Sequence, residues 1–304
     1  MKNRKYSLVF IMLLCMIMAV SAFPMTVNAD MGPKASVRIQ FEHMGDELCY
    51  GTLLSKEKST GPASAWDGRT ESAQKEYMDP GIWEIFVNYK DPDGYYFLQR
   101  SWKVSESKEL AWTYYPPDDF KILVYYPETE TFVSSGIYAR YAFDTYYTVD
   151  MDGVDIGSVE YNDDLSTNER IEAYRSYNYR QEMLALGARI VLTILIEMLV
   201  ALLFGFRQKK QLLILAVVNI ITQIILNVLL NVINYNSGPL AFTFFYVLFE
   251  LIVFALEAVL YCTILKRISE KKKEDAYYIL YSFVANLISF GAGLFLAAKL
   301  PGMF

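Results

Sequence analysis

The sequence predicts a multi-domain membrane protein, with an all-β, immunoglobulin-like extracytoplasmic domain followed by four transmembrane helices in a bundle. Three observations lead to this prediction. An apolar N-terminal segment follows basic residues, a middle region has short turn-separated segments rich in Tyr, Phe, Val and Ile, and the C-terminal half has four long apolar runs. A chain of 304 residues has room for one soluble domain and a small membrane domain.

Residues 1–29 have the organisation of a secretory signal peptide. Residues 2–5 form a basic start, residues 8–20 form an apolar centre, and residues 27–29 offer a small-residue cleavage site. An uncleaved anchor is the alternative, although the apolar centre is short for a membrane span. Either way, the region that follows is expected outside the cytoplasm.

Residues 30–150 are predicted to form a β-sandwich, because the alternating and β-branched segments fit half-buried strands. The candidate strands are 36–41, 48–54, 82–89, 95–104, 121–126, 132–139 and 142–149. The sequence Asp91-Pro92-Asp93-Gly94 predicts a turn between two of them, of the kind that forms a hairpin. Seven short strands favour the immunoglobulin-like sandwich, with a barrel or jelly roll as alternatives. Residues 55–80 are polar and predict a long loop.

Residues 151–185 are predicted to be an acidic linker and a stalk helix. The sequence Ser166-Thr167-Asn168-Glu169 matches a helix-capping box, which predicts a helix starting there. Nothing firmly breaks this helix before the apolar runs, so it is expected to continue into the membrane.

Residues 186–304 contain the predicted spans, each near the roughly 20 residues that cross a bilayer core. They are 186–206, 212–233, 240–265 and 277–298. The loops after the first and third spans are rich in Lys and Arg, and the loop between the second and third has no charge. The positive-inside rule places the basic loops in the cytoplasm, so the β domain and the C-terminus are predicted to be extracytoplasmic.

Charge and composition exclude several classes of function. Residues 30–182 carry 15 Lys and Arg against 28 Asp and Glu, an acidic balance that would repel nucleic acid. His43 is the only histidine, which excludes a histidine-ligated metal or a serine–histidine pair in the membrane. Cys49 is the only cysteine of the predicted β domain, so no disulfide can form within it. No motif predicts a cofactor, a metal site or a catalytic residue.

Polar residues recur inside the apolar runs and form what we call the polar seam. Its members are Glu197, Asn219, Gln223, Asn227, Glu250, Glu257 and Asn286. Carboxylates in a membrane core are costly and usually face a bundle interior or a wet cavity, so a proton or cation site or a polar cleft is one interpretation. The other is that protonated Glu and Asn hold the helices together by hydrogen bonds. The second interpretation suits the Asn residues, whereas the three acids favour function.

All four tryptophans lie in the predicted β domain. Tyr and Trp can form a platform for sugars or peptides, although core packing is the ordinary role of such rings. Trp66 lies in the predicted polar loop and is therefore the candidate for ligand binding.

Three stretches of the exported half, beginning at Asp30, Tyr89 and Arg140, give a resemblance to a wider group. They are DMGPK, YKDPDGYY and RYAFD. These stretches, together with the order Glu197, Asn219, Thr222, Glu250, Glu257 in the second half, resemble uncharacterised membrane proteins of Gram-positive, gut-type bacteria. The resemblance covers most of the mature chain and implies no activity and no functional residue.

The leading functional hypothesis is a non-enzymatic cell-envelope protein. Its outer domain would bind a ligand or protein partner, and the stalk would pass that event to the membrane bundle. The alternative is an ion- or proton-coupled transport component that uses the intramembrane Glu residues and, having few spans, would be an oligomer. A remote alternative is an intramembrane enzyme in which Glu197 and Glu250 meet across helices.

Overall fold

The computed structural model describes residues 32–58, 64–156 and 169–299. These residues divide into two compact units, one over 33–177 and the other from residue 178 onward. The predicted signal peptide and residues 166–168 of the predicted capping box lie outside the described residues.

The first unit contains two β-sheets. Its strands are β1 Ser36–Glu42, β2 Tyr50–Ser55, β3 Tyr96–Phe97, β4 Glu109–Trp112, β5 Asp119–Tyr126, β6 Thr131–Ser135, β7 Tyr138–Ala139, β8 Asp144–Asp150, β9 Glu169–Ile171 and β10 Ala173–Arg175. One sheet has the order β10-β8-β1-β4, and the other has the order β3-β2-β5-β6-β9 with β7 also on β5. The pairs β1–β8 and β6–β9 are parallel, and the remaining pairs are antiparallel.

Both sheets contribute side chains to one core. Val37 and Ile39 of β1 and Ile122 and Val124 of β5 are fully buried in it. The opposite face of β5 is also covered, by helix α1 (Pro80–Asn88). A strand that is buried on both faces needs a continuous apolar run instead of an alternating one, which accounts for the sequence of β5. The predicted β region is therefore confirmed, and its immunoglobulin-like connectivity stays a prediction.

The prediction of a strand over 82–89 is wrong, because residues 82–88 lie within α1 and Tyr89 is its C-terminal cap. Asp79 caps the helix by accepting hydrogen bonds from the N–H groups of Gly81 and Ile82, and Pro80 occupies the first turn. The Asp91-Pro92-Asp93-Gly94 turn consequently connects a helix to β3, and the predicted hairpin is absent here. Within the predicted strand 95–104 only the two-residue strand β3 forms, and a short helix α2 (Val104–Ser107) begins at its last residue. The strand β4 lies beyond this segment and was not predicted.

The predicted stalk helix is also wrong over residues 169–175. Strands β9 and β10 occupy this segment, pairing with β6 and β8 respectively. The open edges of the two sheets offer backbone hydrogen bonds to this segment, and this long-range pairing overrides the local capping pattern. A helix begins only at Tyr179, capped by the side chain of Asn178.

Within the described residues, the second unit contains three helices that are long and apolar enough to cross a membrane, which is compatible with a multi-pass membrane protein. They are α3 (Tyr179–Leu203), α4 (Lys209–Leu260), which continues through a π-helical turn (Tyr261–Leu265) to Ile268, and α5 (Asp275–Lys299).

Helix α4 folds back on itself at Gly238, whose φ of 80° and ψ of −179° are non-helical and suit glycine alone. The hydroxyl of Thr222 lies 3.0 Å from Oε1 of Glu257, although 35 residues of unbroken helix would span roughly 50 Å. We call residues 209–237 the first arm and residues 239–260 the second arm. Four separate membrane crossings stay a prediction.

Replacing Lys121 by Met is expected to destabilise the first unit strongly. The Lys121 and Asp91 side chains are fully buried and lie 2.9 Å apart, so removal of the ammonium leaves a carboxylate buried without its counter-charge. We expect the free energy of unfolding to fall by about 3–5 kcal/mol. All four tryptophans belong to this unit, so tryptophan fluorescence of the full-length protein in urea measures it.

The matched control is Lys103→Met, which removes an exposed ion pair with Glu106. This substitution should lower the free energy of unfolding by at most about 1 kcal/mol. Equal effects of the two substitutions would contradict the role assigned to Lys121.

The titration of His43 should depend on Asp150. Nδ1 of His43 lies 2.8 Å from Oδ1 of Asp150, and this hydrogen bond and the carboxylate charge raise the pKa of His43 above 6.5. The resulting stabilisation is present below pH 6.5 and is lost as pH rises through the folded-state pKa. Asp150→Asn should lower the pKa, as read from the single histidine signal in NMR spectra, whereas Asp46→Asn should not. An unchanged midpoint in Asp150→Asn would contradict the pairing.

Candidate functional site

The helices of the second unit bury polar side chains beside apolar ones and expose large apolar side chains on the outside. All seven members of the polar seam are buried, with exposures of 3% or less. On the same helices Leu199, Ile225, Leu256 and Ile288 are exposed by 47–62%. This arrangement is the reverse of that in a water-soluble helix bundle and suits helices surrounded by lipid.

Glu257, on the second arm, connects three helical segments. Its Oε1 accepts a hydrogen bond from the hydroxyl of Thr222 on the first arm at 3.0 Å. Its Oε2 accepts one from Nδ2 of Asn286 on α5 at 2.7 Å. Donors on two other segments therefore fix the position of this carboxyl group.

Glu197 connects α3 to α5 through a second set of contacts. The hydroxyl of Ser289 donates to Oε1 of Glu197 at 3.3 Å, and the hydroxyl of Tyr281 donates to the Glu197 backbone carbonyl at 3.3 Å. The Asn219 amide is a further neighbour of this carboxyl group. Oε2 of Glu197 has no hydrogen-bond partner among the described residues.

The amides of the first arm are held in a similar way. The buried hydroxyl of Tyr261 donates to Oδ1 of Asn219 at 2.9 Å. Nδ2 of Asn227 donates to the backbone carbonyl and to Oε1 of Gln223, at 2.9 Å and 3.2 Å. Glu250 lies beside the hydroxyl of Tyr246, one helical turn earlier on the second arm. The structure thus brings the whole polar seam into the interior of the unit.

Glu197, Glu250 and Glu257 form what we call the carboxylate cluster. Each is close enough to the others for their charges to interact. None of the ion pairs found in the described parts of the chain involves them. Each uncompensated buried charge would cost several kcal/mol, so the cluster requires a proton or another source of neutralisation.

The sequence prediction missed several partners of the polar seam, namely Tyr246, Tyr261, Tyr281 and Ser289. Tyr246 lies four residues before Glu250, Tyr261 four after Glu257, and Ser289 three after Asn286. Residues at these spacings share one helix face, so the spacing could have identified three of the four. Tyr281 is not three or four residues from any member of the polar seam, so its contact with Glu197 could not be found from spacing.

Trp66, the predicted ligand-binding aromatic residue, packs within the first unit. Its ring meets that of Trp83 edge-on, with centroids 5.2 Å apart, and it is partly buried against the cluster of side chains over α1. Its backbone N–H donates to the carbonyl of Phe97 at 2.7 Å. These contacts give the ring a packing role, and ligand binding by Trp66 stays a prediction.

Replacing Asn286 by Leu should destabilise the second unit. The substitution leaves Oε2 of Glu257 buried without its donor, which is expected to cost about 1–3 kcal/mol. Thermal unfolding followed by far-ultraviolet circular dichroism in micelles measures the loss. Asn236→Leu is the matched control, because the side chain of Asn236 is exposed and donates to the backbone carbonyl of Val232 in its own helical turn. If Asn286→Leu is as stable as this control, the hydrogen bond from Asn286 to Glu257 does not stabilise the unit.

Comparison of the chain with family models, with curated proteins and with solved structures finds no match. The resemblance to membrane proteins of Gram-positive, gut-type bacteria therefore stays a prediction. Inference about function depends on the geometry of the carboxylate cluster and its surroundings.

Proposed function

We propose that the protein is a proton-coupled membrane component, and that its carboxylate cluster takes up and releases protons within the bilayer. The observation that carries this proposal is the burial of Glu197, Glu250 and Glu257 in one interior, within electrostatic range of one another and with no ion-pair partner among the described residues. Intramembrane carboxylates in such positions are typical of proton relays and ion pathways.

The contacts of the carboxylate cluster favour a proton over a metal cation. Glu257 receives an amide N–H from Asn286, and an N–H group cannot coordinate a cation. No group of three or more His, Cys, Asp or Glu side chains suited to a metal ion occurs in the described residues. A proton needs only one carboxyl oxygen and tolerates neighbouring donors.

Structural hydrogen bonding is the competing explanation of the cluster. Amide and hydroxyl groups provide interhelical bonds of about 0.6–2 kcal/mol without placing an ionisable group in lipid. Asn219 and Asn286 already supply such bonds here, to Tyr261 and Glu257. Three additional carboxyl groups are therefore better explained by a function that requires ionisation.

The proposed topology has four crossings, with the two arms of α4 as the second and third. The loops that follow α3 and α4 lie at the same end of the unit, because Nε2 of Gln211, in the first turn of α4, donates to the hydroxyl of Ser269, just after Ile268, at 2.9 Å. Both loops are basic, which favours the cytoplasmic side for this end. The β unit and the C-terminus would then be extracytoplasmic.

A second candidate function is binding of an extracytoplasmic ligand or partner by the β unit. Its support is an open polar recess of about 460 Å³ on the sheet that contains β1 and β8. The rings of Tyr146 and Tyr174 border this recess and are exposed by 36% and 52%. Exposed tyrosines supply rigid contact area for sugars or peptides.

Infrared spectroscopy of the full-length protein in bilayers tests the proton site. We expect a band from protonated buried carboxyl groups whose intensity changes with pH, and we expect its loss in the variant with Glu197, Glu250 and Glu257 all replaced by Gln. Glu270→Gln, which alters an exposed glutamate, is the control and should leave the band unchanged. A band that stays constant at every pH would mean that the glutamates act only as hydrogen-bonding groups, and the proposal would fail.

A further inference from the structure

A separate cavity of about 80 Å³ lies among the helices of the second unit. All four helical segments line it, and seven of its twelve lining residues are polar. Two of them, Ser289 and Tyr246, also contact Glu197 and Glu250 of the carboxylate cluster. The cavity is thus adjacent to the cluster but has a different set of side chains.

The cavity offers positive charge and hydrogen-bond donors. The guanidinium of the half-buried Arg189 lines it and lies 5.7 Å from the centre of the Phe242 ring. Gln223 is 98% buried and lines the cavity, and its Oε1 already accepts from Asn227. Nε2 of Gln223 has no hydrogen-bond partner among the described residues, so it is a donor that a ligand can use.

The remaining wall restricts the size and character of a ligand. Leu192, Leu226 and Leu294 provide an apolar side. A cavity of about 150 Å³ accommodates benzene, so a volume of about half that suits a molecule of the size of acetate. Guanidinium groups bind carboxylates through two parallel hydrogen bonds, and the leucines would contact a short alkyl group.

We propose that this cavity binds a small monocarboxylate anion, with Arg189 and Gln223 contacting the carboxylate and the leucines contacting the alkyl group. This anion site is distinct from the proposed proton site and does not depend on it, because Arg189 and Gln223 are not part of the carboxylate cluster. Arg189 also interacts with Glu182, nearer the start of α3. The bound anion therefore competes with Glu182 for the guanidinium charge.

Equilibrium dialysis of isotope-labelled acetate against the full-length protein in nanodiscs tests this site. Wild-type protein should bind acetate, and excess unlabelled acetate should displace it, whereas neutral acetamide and chloride should not. Arg189→Gln should weaken binding roughly tenfold or more. Glu182→Gln should strengthen it, by at most about fivefold. Arg180→Gln is the matched control on the same helix, because Arg180 is exposed and does not line the cavity.

Gly293→Ala provides an independent variant, because its methyl group would come within 2.6 Å of the Tyr246 hydroxyl and narrow the cavity. It should also weaken acetate binding while the circular dichroism spectrum stays that of wild type. Absence of acetate binding, displacement by acetamide or chloride, or equal binding by the Arg189 and Arg180 variants would overturn the proposal. The infrared result on the carboxylate cluster is independent of each of these outcomes.

Discussion

The second unit depends on one physical constraint, which is the high cost of leaving polar groups without partners where water is absent. Glu257 satisfies this constraint only because Thr222 and Asn286 reach it from two other helical segments. The same contacts fix which faces of the helices are turned inward. The apolar side chains that remain outside are those that lipid can solvate, so burial of the polar groups and exposure of the apolar ones have a single cause.

The chain reversal at Gly238 makes these contacts possible. A residue with φ of 80° and ψ of −179° is strained unless it is glycine, and the following Pro239 has no N–H group to leave unpaired at the break. The reversal brings Tyr261 to Asn219, 42 residues earlier in the chain. Gln223 and Asn227 of the first arm then line the cavity together with Phe242 and Tyr246 of the second arm. A backbone feature of one residue thus positions both proposed sites.

The first unit is organised around β5, which is covered on both faces. This position explains why the buried Lys121 needs the carboxylates of Asp91 and Asp93, each 2.9 Å away. The sequence predicted β5 and the turn at Asp91 well, because an apolar run and a Pro-Asp-Gly sequence are local signals. It mistook α1 for a strand, because aromatic and β-branched residues suit both a strand and a helix that packs on a sheet. The capping role of Asp79 and Pro80 was the local signal that distinguishes the two.

The sequence by itself determined the apolar segments, the basic loops and the identity of the polar seam. Each of these follows from local composition and from the thickness of a bilayer, which needs no knowledge of distant residues. Only the tertiary structure decided that β9 and β10 replace the start of the stalk helix, that β1 pairs in parallel with β8, and that Tyr281 bonds to Glu197. These choices depend on which distant groups compete for the same backbone edge or the same buried oxygen. No single stretch of the sequence contains that competition, because it arises only when the segments are packed together.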